Sequence, residues 1–426
     1  MLNNELCILA QTIFKLNTLY SLGIYIIGFL LKIVALFNTK IKLGVKGRNE
    51  TFSKLKKGLS EKDKTLWFHC ASLGEYEQGL PVFEALRKDC PNHKIVLSFF
   101  SPSGYEIRKN SPIADIVVYL PLDTKSNAKR FLDLLNPELT IFVKYEIWPN
   151  FLNELKKRQL RGILISALFR KSQSFFKFYG KQTRKALFAF EHIFTQNKNS
   201  KALLKSINYN SVTVSGDTRY DRVTNQLNQN NRIDFIEEFK DDKLCVVFGS
   251  SWPEDEKLIT EYINTKAALN LKFIIAPHNI KSVQIENLKE NINKKCVQFS
   301  KKEGKNLKEY DVLILDTIGL LSKVYSYADI AYVGGAIGTT GLHNTLEPAV
   351  FGVPIIIGNN HSKFPEAKAM IENKGMIAVS NQEELNNALN LFTLNNSERI
   401  TYGKNNKFFI KNNTGAVVQI LNYLRN

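Results

Sequence analysis

The chain has 426 residues, of which 44% are hydrophobic and 23% charged, which argues against a disordered or low-complexity protein and suits two domains of ordinary size. Its formal net charge of +18 directs attention to polyanions, namely nucleic acid, anionic lipid headgroups or phosphorylated ligands, with plain solvated basic faces as the alternative. The cysteines Cys7, Cys70, Cys90, Cys245 and Cys296 show no CxxC or CxxH spacing, which argues against a zinc site and a disulfide framework and for a cytosolic globular part.

In chain order, residues 16–37 come first, apolar except for Asn17, Ser21 and Lys32. That length suits a spanning helix, and an interfacial helix is the other reading. Lys40, Lys42, Lys46 and Arg48 follow, and the positive-inside rule keeps the chain beyond them in the cytoplasm. From residue 60 onward, buried-strand runs at 65–71, 94–100, 116–120, 139–143, 162–166 and 192–195 mostly alternate with helical patterns. A short strand at 212–215 precedes the polar stretch 218–234, which reads as interdomain. The alternation restarts with strands at 244–249, 272–276, 312–315, 330–333 and 353–357. Such alternation predicts two doubly wound α/β domains, with ligands at the carboxyl ends of the strands, facing a cleft.

Acidic residues stand where such ligands bind. The first strand runs into Ser72-Leu73-Gly74-Glu75, and Pro81 limits a regular helix ahead, so Glu75 belongs to a loop or first turn. It is either a site carboxylate or a helix-start acid that complements the dipole. The strand at 139–143 leads into Lys144-Tyr145-Glu146-Ile147-Trp148-Pro149-Asn150, a second acid beside a large aromatic. In the second half, Gly249-Ser250-Ser251-Trp252-Pro253 combines a strand end with helix-start signals, where backbone N–H groups favour phosphate. The strand at 330–333 enters a glycine-rich loop through Gly334-Gly335, and Asn344 or Thr345 caps a helix carrying Glu347, which could accept ribose hydroxyls. A purely structural glycine turn is the competing reading, and neither the dinucleotide fingerprint nor the P-loop signature is present.

Taken together, these residues resemble the 3-deoxy-D-manno-octulosonic acid (Kdo) transferases of lipopolysaccharide synthesis. The resemblance covers nearly the whole chain: Lys46-Gly47-Arg48, SLGE at 72–75, SPSG at 101–104, YEIWPN at 145–150, SGDTRYDRV at 215–223, GSSWPEDE at 249–256, DTIGLL at 316–321 and VGGAIGTTGLHNTLEPAVFGVPIIIG at 333–358. It implies a GT-B fold: an anchor at 1–40, an acceptor-binding Rossmann-like domain at 41–217 and a nucleotide-sugar domain at 218–426. It implies an inverting glycosyltransferase of the inner membrane, with catalytic domains on the cytoplasmic side. CMP-Kdo would be the donor and a phosphorylated lipid A precursor the acceptor, beside an anionic membrane surface, with neither nucleic acid, metal nor cofactor.

Carried over residue by residue, Glu75 is the general base and Glu146 the second acid, with Ser72, Gly74 and Trp148 beside the acceptor. The donor side takes Ser250, Ser251, His278, Gly334, Gly335, Asn344 and Glu347. One departure stands out: where the family often has Pro-Arg-His, this chain has Pro277-His278-Asn279, with Lys281 nearby as another cation. A histidine is only conditionally charged near neutral pH. The basic region 151–207, with Phe175, Phe176, Phe178 and Tyr179 interleaved, either holds a phosphorylated lipid at the membrane or is a basic segment whose aromatics are core. The alternative activity is another GT-B-like sugar-nucleotide enzyme, such as a lipid glycosyltransferase or a UDP-sugar 2-epimerase. A non-catalytic basic binding protein is the third reading.

Overall fold

A computed structural model describes residues 20–266 and 270–426. The described residues form two compact units, one reaching to residue 221 and joined by 415–426, the other within 222–414.

The first unit holds a parallel sheet of β1 (Thr65–Cys70), β2 (Lys94–Phe99), β3 (Ile116–Tyr119), β4 (Leu139–Val143), β5 (Gly162–Ala167), β6 (His192–Thr195) and β7 (Val212–Val214). Its order is β3-β2-β1-β4-β5-β6-β7. Both faces of β1 and β4 are buried, as helices on both sides of a parallel sheet require, so the strands read as continuous apolar runs. Trp67 and Phe68 illustrate this: neighbours on β1, they point into the separate clusters on the two faces. Truncating a core aromatic such as Trp67 to alanine costs roughly 3–5 kcal/mol.

The second unit repeats the plan with β8 (Leu244–Ser251), β9 (Leu271–Pro277), β10 (Cys296–Gln298), β11 (Val312–Ile314), β12 (Ile330–Val333), β13 (Ile355–Gly358) and β14 (Met376–Val379), ordered β10-β11-β9-β8-β12-β13-β14. Strands β10 and β14 are short and escape the sequence pattern. In each sheet the winding reverses once, between β1 and β4 and between β8 and β12. Ligands of doubly wound sheets settle at such a reversal, at the carboxyl ends.

Two sequence expectations are corrected here and one is sharpened. Pro81 does not stop its helix, which runs over Leu73–Asp89, because burial of Tyr76, Val82, Phe83 and Leu86 outweighs one lost backbone bond. The stretch 218–234, expected as interdomain, does hold the division between the units, which falls inside its helix Thr218–Gln226. The chain end returns to the first unit instead of finishing the second: Asp221 accepts from the backbone N–H of Gly415 at 2.8 Å and of Ala416 at 3.1 Å, capping the helix Ala416–Arg425. Ile420 and Leu421 of that helix complete one core cluster of the first sheet.

Of the segment expected as an anchor, residues 16–19 lie outside the described residues, and 20–34 are helical. No described helix is long and apolar enough to cross a membrane. Its exposed apolar side chains include Tyr25, Phe29 and Leu30, and Leu36 and Phe37 continue the patch beyond the helix. The Tyr20 hydroxyl donates to Asp123 at 2.7 Å. The aromatics of the basic region divide: Phe175 and Phe176 join the core, while Phe178 (94% exposed) and Tyr179 stand in solvent beside Lys177.

Candidate active site

At the first reversal, β1 delivers Ser72 as N-cap of the helix Leu73–Asp89, and Glu75 falls in its first turn. The Ser72 amide donates to Glu75 Oε2 at 3.1 Å, and the Ser72 hydroxyl donates to the same oxygen. Lys144, just beyond β4, places its Nζ 3.4 Å from Glu75 Oε1. Its φ of +73° lies in the left-handed region that a side chain normally avoids, so the ammonium's position is obtained at a backbone cost of about 1–3 kcal/mol. Glu75 is only 7% exposed. Burial raises its carboxyl pKa, but the Ser72 hydrogen bond and the Lys144 charge outweigh this and hold it below the ordinary carboxylate value. Glu75 is therefore an anion at neutral pH, with Oε2 occupied by the cap and Oε1 facing Lys144.

Glu146 follows on the adjacent strand end, mostly buried. Its Oε2 accepts from the Trp148 indole Nε1–H at 3.1 Å. The same N–H lies 3.0 Å from His69 Nε2. Asp123 accepts from the amides of Asn150 at 3.1 Å and Phe151 at 3.0 Å, so the helix Pro149–Lys157 is capped from outside its own sequence.

At the second reversal the chemistry is carried by backbone. Asp255, wholly buried, accepts from the amides of Trp252 and Gly335, both at 2.9 Å, and from the Tyr332 hydroxyl at 2.7 Å. It thus ties the start of the helix Pro253–Thr265 to the glycine loop after β12. A Cβ on Gly334 would lie 2.5 Å from the Ser250 carbonyl oxygen and 2.8 Å from Asp255 Oδ2, so only glycine fits there. Ser250 has φ +53°, where β8 breaks register with β9. Ser251 is buried and donates to Glu256 at 3.0 Å, and the cap of the following helix is Trp252, not a serine.

Three rings gather at the ends of β8, β9 and β12. Trp252 stacks on His278 with centroids 4.5 Å apart, His278 stands 4.6 Å from His343, and the Trp252 Nε1–H donates to His343 Nε2 at 3.1 Å. Burial, with His278 as a lesser cause, pushes the His343 pKa down to about 4, and burial also lowers that of His278. Both imidazoles are neutral at pH 7. Glu347 accepts from Asn344 Nδ2 at 3.0 Å and Ser322 Oγ at 3.2 Å. A small hollow lined by Arg222, Gln226, Ser322 and Glu347 opens beside it.

Comparison with known proteins bears on this geometry. A family model described as 3-deoxy-D-manno-octulosonic-acid transferase matches residues 46–222. A 3-deoxy-D-manno-octulosonic acid transferase of Rickettsia felis is 30% identical over 383 residues, covering 87% of this chain and 80% of that protein. The chain belongs to the 3-deoxy-D-manno-octulosonic acid transferase family. It is therefore a glycosyltransferase.

The Kdo transferase of Haemophilus influenzae is 27% identical over 376 residues, 84% of this chain and 86% of that protein. Among solved structures, UDP-GlcNAc 2-epimerase of Neisseria meningitidis superposes with a TM-score of 0.59 at 14% identity, covering 85% of this chain and 100% of that one. A glycosyltransferase of Rickettsia africae gives 0.55 at 12% identity, covering 85% and 98%. These establish two Rossmann-like domains of the GT-B kind. At such identities they speak for fold alone, so likeness to an epimerase carries no epimerase activity.

The structure brings Ser72, Gly74, Glu75, Glu146 and Trp148 of this Kdo transferase to the ends of β1 and β4, and Ser250, Ser251, His278, Gly334 and Gly335 to those of β8, β9 and β12. Asn344 and Glu347 sit together at the start of the short helix Leu346–Val350. Lys281 caps an exposed helix start outside the ring stack. Sequence reasoning missed His69, Lys144 and Asp255 as site-builders. Lys144 adjoins Glu146, and Asp255 stands three residues after Trp252 as a capping-box acid, so both had a signal. His69, inside an apolar strand, had none.

Proposed function

We propose that the protein transfers Kdo from CMP-Kdo to a phosphorylated lipid A precursor, with inversion and without a metal. The observation that carries this reading is the buried, anionic Glu75 held by Ser72 and Lys144 at the first reversal, in a chain of the Kdo transferase family. Glu75 acts as general base on the acceptor hydroxyl. Its lowered pKa makes it too weak to deprotonate a free alcohol beforehand. Proton transfer instead accompanies C–O bond formation, when the attacking oxygen becomes acidic. Glu146 orients the acceptor hydroxyls from the neighbouring strand end.

On the donor side, the glycine-rich backbone held by Asp255 admits the nucleotide closely, and Glu347 with Asn344 receives the ribose. Lys144 supplies positive charge at the site. The exposed apolar side chains of residues 20–37, with Phe178 and Tyr179, favour attachment to the cytoplasmic face of the inner membrane beside anionic lipid.

The test is transfer from CMP-Kdo, generated in situ, to a tetraacylated lipid A precursor in detergent, read by mass spectrometry. Wild type gains Kdo units, with or without EDTA, and Glu75→Gln does not. Absence of product from folded wild type would overturn the donor or acceptor assignment.

A further inference from the structure

We propose that His69 is a positioning residue for the transfer step, holding the Trp148 indole so that the Glu146 carboxylate has one orientation. The inference rests on the role given to Glu146 above.

His69 lies on β1 with none of its surface exposed. The directions of its hydrogen bonds follow from its neighbours. An indole N–H only donates, so His69 Nε2, 3.0 Å from Trp148 Nε1, carries the lone pair. The proton is then on Nδ1, which donates to Ser98 Oγ at 2.9 Å. Ser98 Oγ also accepts from Trp67 Nε1–H at 2.8 Å, which leaves its own proton for the Phe68 carbonyl at 3.4 Å. The protons of Trp67, Ser98 and His69 each have one destination, and the row ends on the Trp148 N–H.

That N–H is forked, because Glu146 Oε2 lies 3.1 Å from it while His69 Nε2 and Glu146 Oε2 are 3.8 Å apart. The two acceptors confront each other with the indole proton between them. The far face of Trp148 meets the Phe100 ring at 4.7 Å, and the Arg48 guanidinium lies over that ring at 4.5 Å. Trp148 is therefore fixed by packing on one side and by His69 on the other. Glu75 and Lys144, at the same strand ends, are the other charged groups close by.

The forked contact makes the two residues one unit. His69→Phe leaves the indole unheld, so kcat falls roughly ten- to a hundredfold. Trp148→Phe keeps the ring and removes the shared donor, so it lowers kcat by a similar factor, and the double variant loses no more than the worse single one. His69→Gln, whose amide oxygen can take the indole proton, returns kcat towards wild type. The experiment records kcat and acceptor KM for these variants and Glu146→Gln, with thermal melting alongside. Non-additive losses with rescue by glutamine, at unchanged melting temperature, support the proposal. Wild-type turnover by His69→Phe, additive losses, or no rescue by glutamine, with Glu146→Gln impaired, overturn it and leave the role of Glu146 intact. Wild-type turnover by Glu146→Gln removes that role and the proposal together.

Discussion

Each sheet crosses once from one side of its first strand to the other, although the second inserts β11 between β9 and β10, and the two equip that crossing in opposite ways. In the first unit, charged side chains crowd the strand ends: Glu75, Lys144 and Glu146, each held by a neighbour. In the second, the strand ends carry glycines and neutral rings, and the wholly buried acid, Asp255, fixes the backbone of Trp252 and Gly335 and holds the Tyr332 hydroxyl. The difference follows the tasks proposed for them. Moving a proton needs a titratable group of fixed charge state. Receiving a nucleotide needs close backbone approach, which any Cβ would obstruct.

The largest expected effect tests the charged half. Glu75→Gln should lower transfer by roughly 10²–10⁴-fold while donor binding, followed by calorimetry, is unchanged. Loss of donor binding as well would blur the division between the two halves. Gly334→Ala should do the reverse. Its Cβ meets backbone 2.5 Å away, so donor affinity should collapse, and stability should fall by about 1–3 kcal/mol in denaturant titration. A folded variant with normal donor affinity would show that the loop is only a turn.

A gentler change addresses the departure from the family. His278→Arg places a permanent cation where the family often carries one, and the donor Kd should tighten by up to about tenfold. An unchanged Kd would mean that the stack of Trp252, His278 and His343 serves packing alone.

The smallest effect concerns pH. His343 has a folded pKa of about 4, below the usual value of ~6.5 for histidine. In that window the unfolded chain binds a proton that the folded site refuses, so stability falls as pH falls from about 6.5 towards 4. His343→Gln should remove this component, and its melting temperature should decline less than that of wild type on acidification, by roughly 2–4 °C. Parallel curves would place the acid sensitivity elsewhere.

Much of the molecule was legible beforehand. The runs at 139–143, 192–195 and 330–333 coincide with β4, β6 and β12, because strands buried on both faces must be continuously apolar. Glu75 offered two readings, cap or site acid, and it is both: Ser72 uses Oε2 for the cap, and Oε1 faces Lys144. Ser251 fared differently, since its hydroxyl is turned to Glu256, a preference that the strand pattern does not encode. The helix Ala416–Arg425 looks like any amphipathic ending, and only the bond from its first amides to Asp221 assigns it to the first unit.

The sequence by itself determined the alternation of strands and helices, the places where glycine replaces side chain, and the acids at strand ends, because these depend on residues near one another in the chain. Which strands adjoin was decided by the tertiary structure alone. That adjacency sets Glu75 beside Lys144, more than sixty residues away, and threads His69 between Ser98 and Trp148. Such pairings depend on the order of strands across a sheet, and no local pattern of residues records that order.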